Sequence, residues 1–209
     1  MNQVEVTTQL AAALAGSEGA ADVFRAAVRL LADGHPVATT ALATELGWTA
    51  ERVTAVLARF PDAERNDAGD LIGLGLTLRP TAHAFEVDGR QLFTWCALDS
   101  LFLPSVLDRA ARVVSSCAIT GAPIRMTVTP DSVDDVDPPS AALLLVVPGS
   151  AQEVRSSFCN RVSFVTCASE AQEWLRANPE AMVVSVAKGF DIGRDFAARA
   201  LDVRYPSCC

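Results

Sequence analysis

The stretch "TTALATELGWTAERVTAVLARF", residues 39–60, reads as two short helices joined by "GW" at 47–48. Gly47 stops the first, because a glycine just past a helix end takes the left-handed conformation at little cost. Thr49 opens the second as its N-cap, where a hydroxyl accepts a hydrogen bond from an early backbone N–H. Val53, Val56 and Leu57 then follow along one face at helical spacing. The arrangement predicts a helix-turn-helix. Upstream, "AADVFRAAVRLLADG" (20–34) carries apolar residues at helical period and stops at Gly34. Downstream, "PDAERNDAGDLIGLGLTL" (61–78) reads as a hairpin turning at "NDAGD". Three helices and a hairpin predict a winged-helix-like unit over residues 1–80.

Such units often read DNA, but the charge here argues against it. Residues 1–80 hold six arginines, no lysine and ten acids, and the whole chain of 209 residues carries a formal charge of −8. A DNA reader shows a basic stripe, and an acidic surface is repelled by phosphate. The fold is therefore expected to serve as a packing module, with no nucleic-acid partner. Half the residues are apolar, enough for a sizeable core. The longest strongly apolar run, "SAALLLVVPG", is too short to cross a bilayer. The opening "MNQVEVTTQL" has no basic segment followed by an apolar one. A soluble cytoplasmic protein with no membrane partner is expected.

Beyond residue 80 strands and helices mix. "AHAFEVDGRQLFTW" reads as a hairpin around "DG", and "CALDSLFLPSVL" as a mostly helical segment interrupted at Pro104. "RVVSSCAITGAPIRMTVTP" is a second hairpin, and "DSVDDVDPP" a solvated loop without calcium-loop spacing. "SAALLLVV" is a buried strand. "SAQEVRSSFC" is a helix capped by Ser150, followed by the strand "RVSFVTCA". "SEAQEWLRA" is a helix capped by Ser169, "MVVSVAKGF" (182–190) a strand, and "DIGRDFAARAL" the last helix. "GLG" at 73–75 lies in a strand and not before a helix, so it is no phosphate cradle. The class is α+β, with a mixed antiparallel-sheet and helix core domain over residues 81–209.

The chemistry-bearing residues are few. Two histidines, His35 and His83, and one lysine, Lys188, argue against Ser-His-Asp catalysis and against a histidine-rich zinc site. Six cysteines are present: Cys96, Cys117, Cys159, Cys167, Cys208 and Cys209. In a reducing compartment they are free thiols, ligands or nucleophiles rather than disulfides. Cys117 lies in an alternating strand and Cys167 on the face of Ser163 and Val165, both as small core hydrophobes. Cys96 differs, because Asp99 shares its helical face. The two are a small hydrophobe beside a capping acid, or half of a reactive site. Cys159 sits at a helix-to-strand junction that can open into a cleft.

The runs "GLGLTLRPTAHAFEVDGRQLFTWCALDSLFLPSVL", "ARVVSSCAITGAPIRMTVTP" and "VRSSFCNRVSF" resemble, in order and spacing, the bacterial organomercurial lyases (alkylmercury lyases). The resemblance extends from the first helices to "VVSVAKGF". It implies catalytic and mercury-binding roles for Cys96, Cys159 and Asp99, and a structural one for Cys117. Asn160 stands where some relatives carry a second cysteine, and Cys208–Cys209 falls outside the family pattern.

The implied reaction is protonolysis of a carbon–mercury bond. Mercury is soft and prefers thiolates. Two thiolates push electron density onto the carbon, and Asp99 relays a proton to it. No organic cofactor is required. Hg(II) is bound as product, and external thiols assist its release. Organomercurials and small thiols are the implied partners, with a mercuric reductase as a possible Hg(II) acceptor. A non-enzymatic soft-metal carrier for Hg(II) or Cu(I) would use Cys96, Cys159 and the terminal pair, but has no need of Asp99. A thiol-based regulator would need the basic face that the N-terminal unit lacks. If Asp99 proved dispensable, Glu86 would be the next acid to consider.

Overall fold

The N-terminal elements follow from the local chemistry just described. The structure, a computed structural model, describes residues 7–8, 18–146 and 154–203. Helix α1 (Ala20–Leu31) buries Val23, Phe24, Ala27, Val28 and Leu31. Helix α2 (Thr39–Leu46) ends at Gly47, left-handed at φ 64°. Helix α3 (Ala50–Leu57) begins at Thr49, whose hydroxyl accepts from the Arg52 N–H at 3.2 Å. Strands β1 (Glu64–Arg65) and β2 (Leu71–Leu74) form the wing, and Val37 bridges back to Leu71.

The wing does not stop there. After Gly75, β3 (Leu76–Thr77) pairs with β2 on one side and with β5 (Arg90–Thr94) on the other. β5 pairs with β4 (His83–Val87), which pairs with β6 (Ala111–Ser116), and β6 with β7 (Pro123–Val128). The result is one eight-stranded antiparallel sheet, ordered β1-β2-β3-β5-β4-β6-β7-β8. Its last strand, β8 (Val133–Asp137), lies in the stretch expected to be a loop. It pairs through Val133↔Val128 and Asp137↔Arg125. An edge strand needs only one neighbour, and exposed aspartates there discourage further pairing. That explains why a strand reads as a solvated loop.

A second sheet places β9 (Ala142–Leu145) between β10 (Ser163–Val165) and β11 (Met182–Ser185). All of β9 is buried, which is why its sequence is apolar without alternation. The strand expected over 182–190 ends at Ser185. The Ser185 hydroxyl accepts from the Lys188 N–H at 3.2 Å and caps α7 (Val186–Ala200). Val186, Phe190, Gly193 and Ala197 are buried at helical spacing, and that period outweighs the β-branched start. The strand expected over 161–168 is shortened because Cys159–Arg161 forms a 3-10 turn. Ser169 does not cap its helix. A 3-10 turn (Ala168–Ala171) precedes α6 (Gln172–Ala177), with Cys167 at its N-cap. Helix α5 (Val154–Ser157) ends two residues before Cys159, to which it was expected to run, and its expected cap Ser150 lies outside the described residues.

Helix α4 (Ala97–Leu107) is the centre of the molecule. Every one of its residues is buried, as in a helix apolar on all sides. It continues through Pro104, where an interruption was expected, and ends at Asp108 with φ 55°. Packing around the whole helix against α1, α7 and the large sheet offsets the hydrogen bond lost at the proline. Phe102 stacks with Phe24 at 6.4 Å between centroids and meets Phe196 edge-on at 5.1 Å. The close approach of α7 depends on two glycines. A Cβ at Gly189 would lie 2.8 Å from the Leu143 Cδ2, and one at Gly193 3.0 Å from the Phe102 Cβ. Among the described residues no helix is long and apolar enough to cross a membrane.

Candidate active site

Cys96 sits where β5 turns into α4. It is the N-cap residue, in extended conformation at φ −146°. Three neighbouring bonds hold the turn. The Trp95 N–H donates to the Gly75 carbonyl at 2.8 Å, the Thr94 hydroxyl to the Cys96 carbonyl at 2.9 Å, and the Ala97 N–H to the Val162 carbonyl at 3.2 Å. Asp99 lies at the third helical position. Its carboxylate accepts from the Cys96 backbone N–H at 3.0 Å, completing a capping box. The acid thus caps the helix that Cys96 opens, with its carboxyl group beside that residue.

Cys159 opens the 3-10 turn after α5, where the Val162 N–H donates to its carbonyl at 3.2 Å. The Ala97–Val162 bond fixes this turn against the start of α4. The Cys96 Sγ, the Cys159 Sγ and an Asp99 carboxylate oxygen all lie within 4.8 Å of one another. Relative exposures are 0 % for Cys96, 8 % for Asp99 and 5 % for Cys159. The fold therefore brings together all three residues singled out in the sequence.

Burial governs their protonation. It pushes the Cys96 thiol well above its ordinary value, with the Cys159 hydrogen bond and the Asp99 charge adding to the shift. Burial likewise raises the Asp99 carboxyl to about 7, against hydrogen bonds to Cys96 and the charge of Arg155, which favour ionisation. For Cys159 the hydrogen bond to Cys96 lowers the pKa, but burial and the Asp99 charge outweigh it and the thiol ends raised. Near neutrality the site holds two protonated thiols beside a carboxyl group that readily gains or loses a proton.

Around this core lies a group that sequence reading missed. The Arg155 guanidinium bonds Glu64 at 2.5 Å and lies 4.9 Å from the centroid of the Trp95 ring. The Arg155 backbone N–H donates to an Asp62 carboxylate oxygen at 3.0 Å. Glu64 also accepts a short hydrogen bond from the Thr77 hydroxyl. No spacing in the sequence signals these contacts, because they join residues of the wing to a helix far along the chain.

The remaining candidates lie elsewhere. Cys117 is not within the alternating strand but just past it. Its Sγ accepts from the Thr120 N–H at 3.5 Å and its thiol donates to Glu170 at 3.5 Å. Burial raises its pKa, but hydrogen bonds from Thr120, Ile119 and Thr166 bring it below its ordinary value. The Ala118 N–H donates to the Phe164 carbonyl at 2.9 Å, so this turn joins the two sheets. Cys167 is half-buried and bonds the Ser169 hydroxyl at 3.0 Å. Glu86 is exposed on β4 and is not one of the three clustered groups. Cys208 and Cys209 lie outside the described residues.

Two buried thiols and a carboxyl group at a helix start, on a winged α+β fold, form a donor set that suits a soft metal. The alkylmercury lyase profile matches residues 76–198, and that of the helix-turn-helix domain of alkylmercury lyase matches residues 5–75. The chain belongs to the alkylmercury lyase family, enzymes that cleave carbon–mercury bonds. An alkylmercury lyase of Staphylococcus epidermidis is 44% identical over 177 residues, covering 85% of this chain and 82% of the relative. One from Pseudomonas putida is 43% identical, covering 87% and 86%. One from Streptomyces lividans is 39% identical over 209 residues, covering 98% and 97%. The crystal structure of the mercury-bound form of MerB2 shares the fold, with a TM-score of 0.79 at 22% identity over 94% of this chain and 99% of that one.

Proposed function

We propose that Cys96, Cys159 and Asp99 carry out carbon–mercury cleavage by protonolysis, releasing a hydrocarbon and Hg(II). The observation that carries this reading is the meeting of two thiols and one carboxyl group, all nearly inaccessible, within 4.8 Å. The ionised Asp99 takes the proton of one thiol as that sulfur displaces the ligand on mercury. The second sulfur then binds, and its proton leaves with the displaced ligand. Asp99 returns its proton to the carbon as the carbon–mercury bond breaks. Hydrocarbon departs, and Hg(II) stays on two thiolates. Two small thiols then exchange onto the metal, each giving its proton to a departing cysteine. A carboxyl group poised near neutrality suits both halves of this relay. The chemistry runs without an organic cofactor.

The same reading assigns residues 1–80 to a winged-helix-like unit used for packing and residues 81–209 to the catalytic core. It places the enzyme in the thiol-rich cytoplasm, with a mercuric reductase as an acceptor of the metal and no nucleic acid as partner. The engagement of Arg52, on the would-be recognition helix, with Trp48 at 3.8 Å and Glu18 at 3.7 Å supports the packing role.

Incubation with phenylmercury and excess thiol, with benzene followed by gas chromatography, tests the proposal. The wild type should release benzene, while Cys96→Ala and Cys159→Ala should each fall below about a tenth of its rate, a threshold more lenient than the roughly 10²-fold or larger loss that removing a proton-transfer group brings. Benzene release above that level by either variant overturns the assignment.

A further inference from the structure

Glu64 belongs to the wing, yet its carboxylate is buried, with a side-chain exposure of 6%. A buried carboxylate is costly unless paired, and two partners hold this one. Thr77 donates to one oxygen and Arg155 to the other. The backbone makes room for it. A Cβ at Gly73 would fall 2.1 Å from the Glu64 carboxylate and 2.7 Å from the Thr77 hydroxyl. The opposite register partner of Glu64 thus has to lack a side chain.

Arg155 is held at both ends. Asp62 accepts from its backbone N–H, Glu64 fixes its guanidinium, and the Trp95 ring lies beneath that group. Trp95 is the residue before Cys96, and Arg155 stands four positions before Cys159. The guanidinium therefore touches the neighbour of one thiol and is carried by the segment that supplies the other. Its charge is felt at both Asp99 and Cys159. Developing negative charge on sulfur during mercury capture is the charge that a fixed cation nearby stabilises.

We infer that Glu64 is a positioning residue for the cleavage reaction, holding Arg155 on Trp95 so that its charge stays beside the Cys159–Asp99 pair, and that the wing takes part in catalysis through this contact. The inference rests on the proposed roles of Cys96, Cys159 and Asp99.

A double-mutant cycle on the whole chain tests it, with benzene release from phenylmercury as readout and kcat and KM measured separately. Arg155→Met should lower kcat by about tenfold or more, as small losses of alignment do, with KM changed less. Arg155→Lys should restore part of it. Glu64→Gln keeps shape and one acceptor oxygen but removes the charge, and should lower kcat in the same direction by a smaller factor. The double variant should be no slower than Arg155→Met alone, because Glu64 acts through the arginine. Asp62→Ala, which removes the acceptor of the Arg155 backbone N–H and leaves the Glu64–Arg155 pair in place, provides a second release of Arg155 should Glu64→Gln fail to fold, and it too should lower kcat but not in an Arg155→Met background. Full turnover by Arg155→Met overturns the inference. So does a double variant whose loss equals the product of the single losses. Cys96→Ala is the control that separates the two readings: its activity would overturn the site itself, whereas its inactivity beside a fully active Arg155→Met overturns only the role of the wing.

Discussion

In the proposed reaction Asp99 does two things at once, capping a helix and moving a proton. Asp99→Asn separates them, since an amide oxygen still accepts from the Cys96 N–H but no proton can be relayed. Organomercurial should still bind, seen as loss of titratable thiols, while hydrocarbon release falls by about 10²-fold or more. Near-normal release would move the relay to another group. The same residue leaves a mark on stability. Its carboxyl is raised to about 7 in the folded protein, so the folded state holds the proton longer than the unfolded chain does. Its contribution is fully present below about pH 4 and is lost as pH rises towards 7. His83 has the opposite slope. Buried beside Ser115 at 2.7 Å and edge-on to Phe164, its pKa is lowered to about 4 by desolvation. Its contribution is present above about pH 6.5 and is lost as pH falls towards 4. The two slopes oppose each other between pH 4 and 6.5. Urea midpoints across that range should therefore rise more steeply with pH in Asp99→Asn than in the wild type. Parallel curves would show that Asp99 is not held protonated.

At the scale of elements, the turn after β6 is where a sulfur holds two sheets in register. Cys117 gathers the Thr120 N–H and the Glu170 carboxylate at the point where Ala118 bonds β10. Cys117→Ala should cost on the order of 1 kcal/mol of unfolding free energy, measured by urea denaturation. An inactive variant of unchanged stability would show a chemical role instead. The elements also show what the sequence could tell. Thr49 and Gly47 announce their helix ends because the signal is the residue's own conformation and hydrogen bond. The helix through Pro104, the strand at Val133–Asp137 and the start of α7 at Val186 were misread for a shared reason. Each is decided by what packs or pairs against it, and a local window does not contain that partner. The site divides in the same way. The Cys96–Asp99 spacing was legible as a shared helical face. Cys159 was singled out by its junction and given a partner only through the family resemblance. Glu64 and Arg155 were invisible, since their meeting depends on the register of the wing.

The whole molecule is organised by one sheet that passes without a break from the wing, through β3 and β5, to the strand that delivers Cys96. Around α4 it leaves the two thiols and the carboxyl group of the cluster almost without contact with solvent. A substrate can reach them only when the surroundings part, and the rate of that parting sets a clock that any thiol reagent can read. A bulky disulfide reagent should label half-buried Cys167 quickly and Cys96 and Cys159 slowly, followed peptide by peptide in a mass spectrometer. Equal labelling of Cys96 and Cys167 would mean that the enclosure is no barrier. Where the clock is slow, the two thiols are spared the oxidants and large electrophiles that consume exposed cysteines, while a compact organomercurial slips in during brief openings. The enclosure then acts as a sieve in time and size, keeping a pair of reactive sulfurs intact until the molecule they are meant to meet arrives.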